Sequence, residues 1–226
     1  MAETTTTPPD DVDLDRLFHR WSTFESSKDW RKAGFHVLRD KEDKILVVRH
    51  EAAPHYLFKK YSSGDFRSPQ EQLEKYQSRV EGAALLRAHI ANNALRHVVV
   101  PHKWLGALPP ASGAKGSSPY VVIVERHKIL NIEESARCYR RIDAEAVREL
   151  CTILFAFRGL DFTVRNAPFT RAGTISFIDT EYINPSRKKL RSRKNYYQKY
   201  IDRMLSKHQR LADAVWQELA KTADLK

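Results

Sequence analysis

The sequence predicts an α+β fold in which a five-stranded antiparallel sheet with one inserted helix precedes a smaller, mainly helical half. Three observations carry that expectation. Residues 34–61 switch to strand-type patterning, with three short apolar runs joined by tight connections. Ser68-Pro69-Gln70-Glu71 is a helix start, with a capping Ser, Pro at the first helical position and Glu three residues after the cap. Ala144 to Gly159 is too apolar for a free helix surface, and the strand pattern that follows it ends in Asp179.

The elements follow in order. Residues 1–12 hold a Thr run, prolines and acids that cannot bury a face, so a disordered tail is expected. Leu14, Leu17, Phe18 and Trp21 recur at helical spacing, which predicts an amphipathic helix within 13–33 that packs on the domain. Phe35 to Leu38 and Lys44 to Val48 read as a hairpin around Asp40-Lys41-Glu42-Asp43, and Tyr56 to Tyr61 as a third strand. Alternation puts Leu57 and Lys59 on one face of that strand, and Phe58 and Lys60 on the other. The helix from Ser68 should run to about Asn92, with Glu81 at the edge of its packed side and Lys59 as a partner for that acid. Val98 to Pro101 and Tyr120 to Glu125 complete five strands, separated by a Pro-, Gly- and Ser-rich loop from Pro109 to Pro119. After a polar connector at 131–142 and the apolar helix, Asn184-Pro185 breaks the chain. One long helix is then expected on a seven-residue rhythm through Tyr197, Met204, Leu211 and Leu219.

Bulk properties narrow the function. No apolar run reaches the length of about 18 residues that a membrane helix needs. The acidic N-terminus has no apolar core of a cleaved secretory signal. Cys138 and Cys151 are too few for a disulfide framework and fit a reducing compartment. The nine histidines show no metal-ligand spacing on a helix, and Cys151 lies in a buried pattern unsuited to a nucleophile. A net charge of +11 favours anionic partners. Six of the eight residues at 187–194 are basic, but no aromatics interleave within that run, which argues against nucleic acid.

The stretch Arg158 to Tyr182, RGLDFTVRNAPFTRAGTISFIDTEY, concentrates the chemistry. Asp161 follows the apolar helix, Asn166 comes five residues later, and Thr174 to Ile178 delivers Asp179. One carboxylate can orient or deprotonate a hydroxyl, while the other and the carboxamide hold a divalent cation on a phosphate. That points to a phosphotransferase.

In this order the residues at 34–182 resemble the protein-kinase-like superfamily. The family has a third-strand Lys, a Glu on the next helix, a hinge after the fifth strand, D-x-x-x-x-N, and a metal-binding Asp after a short hairpin. The matching positions are Lys59, Glu81, Val124-Glu125-Arg126, Asp161 to Asn166, and Asp179. Lys60 rivals Lys59, which is preferred for the two apolar residues before it. The resemblance implies a two-lobed protein-kinase-like fold: a five-stranded antiparallel N-lobe sheet with one helix at 34–126, and a reduced helical C-lobe at 127–226 with a catalytic hairpin at 158–182. It implies ATP and Mg²⁺ or Mn²⁺, with Asp161 catalytic and Asn166 and Asp179 on the metal. Leu57, Lys59, Glu81, Glu125 and Arg126 would bind the nucleotide, Glu81 by positioning Lys59.

Departures refine the likeness. No glycine stands between Phe35 and Ser62, where protein kinases cover the phosphates. Gly159 replaces the usual His, Thr163 the Lys common in Ser/Thr kinases, and Thr180-Glu181 the Phe-Gly. An acid two residues after the metal Asp is similar to aminoglycoside, choline and lipopolysaccharide-sugar kinases, and the compact build to small bacterial effector kinases. A protein Ser/Thr acceptor, in a protein that is itself acidic or not, is expected before a small molecule or sugar. A pseudokinase that binds nucleotide or a partner without catalysis is the alternative. The expected location is cytoplasmic, including delivery into a host cell as a secreted effector.

Overall fold

The computed structural model describes residues 8–18, 26–40, 45–61, 68–108, 119–181, 183–185 and 190–224. In chain order they form α1 (Leu14–Phe18), α2 (Ser27–Lys32), β1 (His36–Asp40), β2 (Ile45–His50), β3 (Ala53–Tyr61) and α3 (Pro69–Asn92). Then come β4 (Val98–Val99), β5 (Lys103–Ala107), β6 (Tyr120–Glu125), α4 (Ile132–Tyr139), α5 (Ala144–Ala156) and β7 (Phe157–Arg158). The chain closes with β8 (Ile175–Ser176), β9 (Asn184–Pro185), α6 (Leu190–Met204) and α7 (Gln209–Asp224). The fold is α+β, with a five-stranded antiparallel sheet and several helices. Two compact units divide it: Met1–Ala84 with His102–Arg126, and Leu85–Pro101 with His127–Lys226. Among the described residues, no helix is long and apolar enough to cross a membrane.

The first unit is built on the sheet β1-β2-β3-β6-β5. Strand alternation gives it two apolar faces. On one, Phe35, Val48, Phe58, Val121 and Ile123 pack with Phe18 and Trp30 from the short helices. Phe18 stacks on Phe35 at 5.2 Å between ring centroids, and Trp30 meets Phe35 edge-on at 4.9 Å. Burial of each such ring contributes about 1.5–3 kcal/mol. A capping box fixes the start of α2, Ser26 Oγ accepting the Asp29 amide while Asp29 accepts the Ser26 amide. On the other face, Tyr61, Val122 and Val124 pack against Tyr76 and Val80 of α3.

The structure corrects four readings of the sequence. The fourth member of the sheet is β5, whereas Val98–Val99 pairs in parallel with Ile175–Ser176 in the second unit. Pro101 lacks the N–H that a ladder needs, and β5 carries a Gly within the strand. The strand packs closely there: a Cβ at Gly106 would stand 2.9 Å from Leu14 Cδ1 and 3.1 Å from Ile123 Cδ1. The expected N-terminal helix is described as two short helices, α1 and α2, with Trp21 outside the described residues. The apolar helix ends at Ala156, because Phe157 turns to extended φ −121°, ψ 157° and pairs with Pro185. The long C-terminal helix is two helices, α6 and α7, separated by a 3-10 turn at Ser206–His208.

Residues 1–7 of the expected tail, Lys41 to Asp43 of the hairpin turn, the loop at 109–118 and Tyr182 lie outside the described residues. So do Arg187 to Lys189 of the basic run, together with the side chains from Leu190 to Lys194.

Candidate functional site

In the second unit, α5 leads into the turn that carries Asp161. An Asp143 cap that accepts the Ala146 amide at 2.8 Å starts α5, and Val147, Leu150, Cys151, Ile153 and Leu154 bury its inner face. Gly159 then takes φ +83°, a left-handed backbone that L side chains rarely adopt. The position two before Asp161 is therefore glycine by backbone demand, and a His there would be strained.

Beyond Asp161 the chain closes a tight local turn. The Asp161 carbonyl accepts the Thr163 amide at 3.0 Å, and the Thr163 carbonyl accepts the amides of Asn166 at 3.0 Å and Ala167 at 2.8 Å. That reversal brings Asn166 back onto Asp161, and its Nδ2 donates to Asp161 Oδ2 at 2.6 Å. With Nδ2 spent on the carboxylate, Oδ1 is the acceptor atom of the amide.

A hairpin returns Asp179 to the same turn. Thr170 and Thr174 clamp its end through amide, carbonyl and hydroxyl bonds, with Gly173 at φ +86°. The Ser176 amide donates to the Pro168 carbonyl at 2.8 Å, and the Ile178 amide to the Asn166 carbonyl at 2.9 Å. Asp179 is the next residue, so the backbone leading into it lies against Asn166. Asp179 is half-buried and its Oδ1 accepts the Glu181 amide at 3.4 Å. Thr180 between them is fully buried.

The nucleotide residues expected from the sequence lie in the first unit. Lys59 is half-buried, paired across the sheet with Val47 and Val122, on the same side of β3 as Leu57 and Tyr61. Its rival Lys60 is buried and directs Nζ to the Tyr120 carbonyl at 3.4 Å. Leu57 packs against the Tyr61–Tyr76 cluster. Glu125 accepts the His102 amide at 3.1 Å, and the exposed Arg126 donates its amide to the His55 carbonyl at 2.7 Å.

Glu81 departs from its expected place. It is exposed, and among the described residues it makes no ion pair with Lys59. Helical phase explains this, since five residues beyond the buried Tyr76 is a rotation of about 140° away from the sheet. Gln72, Tyr76 and Arg79 face the strand instead. Gln72 donates to the Tyr61 carbonyl at 3.1 Å, Tyr76 accepts the Tyr61 amide at 2.9 Å, and Arg79 binds the Tyr61 hydroxyl. Among the described residues, the helix grips the strand through Tyr61 and Tyr76 and not through a Lys59–Glu81 pair.

Three features escaped the sequence reading. The Tyr139 hydroxyl, fully buried, donates to the Ala167 carbonyl at 2.6 Å and so supports the Asn166 turn. Tyr200 of α6 has its pKa raised, by burial first and then by the charge of Asp161. His97, Glu145 and Glu149 bring potential ligand atoms within 4.8 Å of one another. The Glu149 carboxylate is already committed, however, accepting the amides of Arg96 at 2.8 Å and His97 at 2.7 Å and meeting His97 Nδ1 at 3.0 Å. It anchors a loop. No spacing rule links residues 48 or more positions apart in this way. The Cys151 thiol is pushed up to about 12 by burial and then by Asp213, which keeps it an inert core thiol.

No family model matches the sequence, and no curated protein matches it. Among solved structures, the chain is similar to Cex1p at 10% identity and a TM-score of 0.38, over 80% of this chain and 33% of that one. It is also similar to Rv3197 of Mycobacterium tuberculosis, solved with erythromycin, at 16% identity and a TM-score of 0.39, over 77% and 52%. The chain thus spans about a third of the first and about half of the second.

Proposed function

We propose that the chain is an ATP-dependent phosphotransferase of protein-kinase-like build that moves the γ-phosphoryl group to a hydroxyl, with a protein Ser or Thr side chain as the acceptor. One observation supports this reading: the 2.6 Å Asn166–Asp161 contact, in a turn whose Asn166 carbonyl also accepts the amide of Ile178, the residue before Asp179. Phosphoryl transfer needs little covalent help from protein, so positioning and charge neutralisation suffice. Asp161 orients the acceptor hydroxyl and takes its proton. The Asn166 amide holds that carboxylate in place.

The donor set fits a hard divalent cation. The Asp179 carboxylate and Asn166 Oδ1 are oxygen ligands of the kind Mg²⁺ takes in ones and twos, its remaining positions going to phosphate oxygens and water. When bound, Mg²⁺ or Mn²⁺ would neutralise charge on the phosphates. In the first unit, Lys59 is the candidate phosphate ligand, and Leu57, Glu125 and Arg126 are candidates for the rest of the nucleotide. Resemblance to small effector kinases and sugar kinases supports the same reading.

A second reading, nucleotide binding without transfer, is favoured by Glu81, which is exposed and does not take the place of the helix acid of active kinases. Incubation with γ-labelled ATP, Mg²⁺ and a mixture of acceptor proteins separates the two. Transfer should occur and should fall to background in Asp179→Ala. Label that never exceeds this variant, with ATP still raising the melting temperature, would leave the second reading standing. If ATP with Mg²⁺ or Mn²⁺ does not raise the melting temperature either, both readings fail.

A further inference from the structure

A cavity of about 210 Å³ lies beside the turn that carries Asp161, within the second unit. The end of α4 brings Tyr139 and Arg140 to its wall, and the turn brings Val164. Arg203 and Met204 come from the end of α6, and Ser206 and Lys207 from the 3-10 turn that separates α6 from α7. The charged lining is of one sign. Arg140, Arg203 and Lys207 are exposed cations, and among the described residues no acid lines the cavity. Among those residues, too, none of the three cations pairs with a carboxylate. Like charges gathered around one small space repel one another, and an anion placed among them turns that repulsion into attraction. Tyr139 and Met204 are buried, so the cations stand over a largely apolar floor where such an attraction is stronger than in water.

Size and donor chemistry select the anion. The cavity is smaller than the roughly 300–1,000 Å³ of pockets that enclose a drug-sized ligand. It therefore suits a charged head group whose body stays outside. Two guanidinium forks and an ammonium match the oxygens of a phosphate, and Ser206 adds a hydroxyl that can donate to it. Position selects what carries that phosphate. Val164 follows Asp161 by three residues, which places it within about 11 Å of that acid. Tyr139, also in the wall, donates its hydroxyl to the carbonyl of Ala167, the residue after Asn166.

We infer that this cavity binds a phosphate group already present on the acceptor protein, close in sequence to the hydroxyl presented to Asp161. This rests on the phosphotransferase reading above and narrows its substrate class to phosphoproteins. Arg140, Arg203 and Lys207 hold the phosphate by charge-assisted hydrogen bonds, and the acceptor chain runs from there past Val164 to Asp161.

The test uses the full chain and has two parts. Calorimetric titration with O-phosphoserine and with L-serine reads the site itself. O-phosphoserine is expected to bind and L-serine not to, a comparison within the wild-type protein that needs no variant. Arg203→Gln and Lys207→Gln, both at exposed positions, each weaken O-phosphoserine binding by about tenfold or more, whereas Lys59→Ala leaves it unchanged. Equal binding of the two probes, or weakening in Lys59→Ala alone, overturns the inference. The second part reads the source of the phosphate, with γ-labelled ATP, Mg²⁺ and a mixture of acceptor proteins divided into an untreated half and a half dephosphorylated beforehand. Label is expected to favour the untreated half and to lose that preference in Arg203→Gln. Asp179-dependent labelling that is equal in both halves overturns the assignment to the acceptor and leaves the phosphotransferase reading intact. Absence of Asp179-dependent labelling in either half defeats that reading and the acceptor assignment with it.

Discussion

Asn166 holds Asp161 through a 2.6 Å hydrogen bond from amide to carboxylate, while its own carbonyl anchors Ile178 at 2.9 Å. The side chain and the main chain of one residue therefore do separate jobs. Asn166→Ala keeps the main-chain anchor and removes the side-chain one, so its melting temperature should stay close to wild type. On the proposed function, phosphotransfer should fall by about 10²-fold or more, because the orienting donor and the proposed cation ligand would both be gone. Asn166→Asp should be worse at neutral pH, since two carboxylates would share the 2.6 Å contact. Equal rates in all three proteins would rule out a role for this contact.

Tyr139 lends the same turn support from below. Tyr139→Phe strands the buried Ala167 carbonyl, which now accepts the hydroxyl at 2.6 Å. The expected loss is about 1–3 kcal/mol of unfolding free energy, measured by urea denaturation. A change within error would mean that water or another donor replaces the hydroxyl.

The α3–β3 contact gives a paired prediction. Glu81→Gln, at an exposed position, should change stability by no more than about 0.5 kcal/mol and leave nucleotide turnover near wild type. Arg79→Ala removes a buried guanidinium that bonds the Tyr61 hydroxyl and lies 5.1 Å from its ring centroid. It should cost about 2–4 kcal/mol through lost packing and the lost hydrogen bond to the Tyr61 hydroxyl. A large turnover loss in Glu81→Gln would show that this acid works after all in the catalytic state.

His97 should confer a pH dependence on stability. Its hydrogen bond to Glu149, and then the charges of Glu149, Asp143 and Glu145, outweigh desolvation and raise its pKa above 6.5. The folded chain therefore holds this proton more tightly than the unfolded chain. The stabilisation is full below the unfolded value of about 6.5 and is lost as pH rises through the higher folded value. The melting-temperature difference between wild type and His97→Gln should be largest near pH 5.5 and shrink by about pH 8. A difference that grows with pH would have the wrong sign.

Local chemistry made much of the fold legible. Alternation in β3 separated Leu57 and Lys59 from Phe58 and Lys60, and the structure packs Leu57 with the Tyr76 cluster and Phe58 in the aromatic one. Asp161, Asn166 and Asp179 were visible because a tight turn and a hairpin join them within nineteen residues. Long-range pairing was not visible. Val98 and Val99 look like any sheet strand, and only the partners Ile175 and Ser176 reveal a separate ladder. The C-terminal break at Ser206–His208 carries no Pro or Gly, and the apolar rhythm runs straight through it. Tyr197 belongs to that rhythm, but the rhythm does not show that its hydroxyl docks α6 on Phe157, forty residues away.

The most direct test of the phosphotransferase reading needs no identified acceptor, because water is always present as one. ADP release from Mg²⁺-ATP should be measured for the wild-type chain, Asp161→Asn and Asp179→Ala under identical conditions. The expected result is slow turnover by the wild type, lower by about 10²-fold or more in Asp161→Asn and at background in Asp179→Ala. Turnover that is the same in all three proteins would contradict a phosphoryl-transfer role for the Asp161–Asn166–Asp179 constellation.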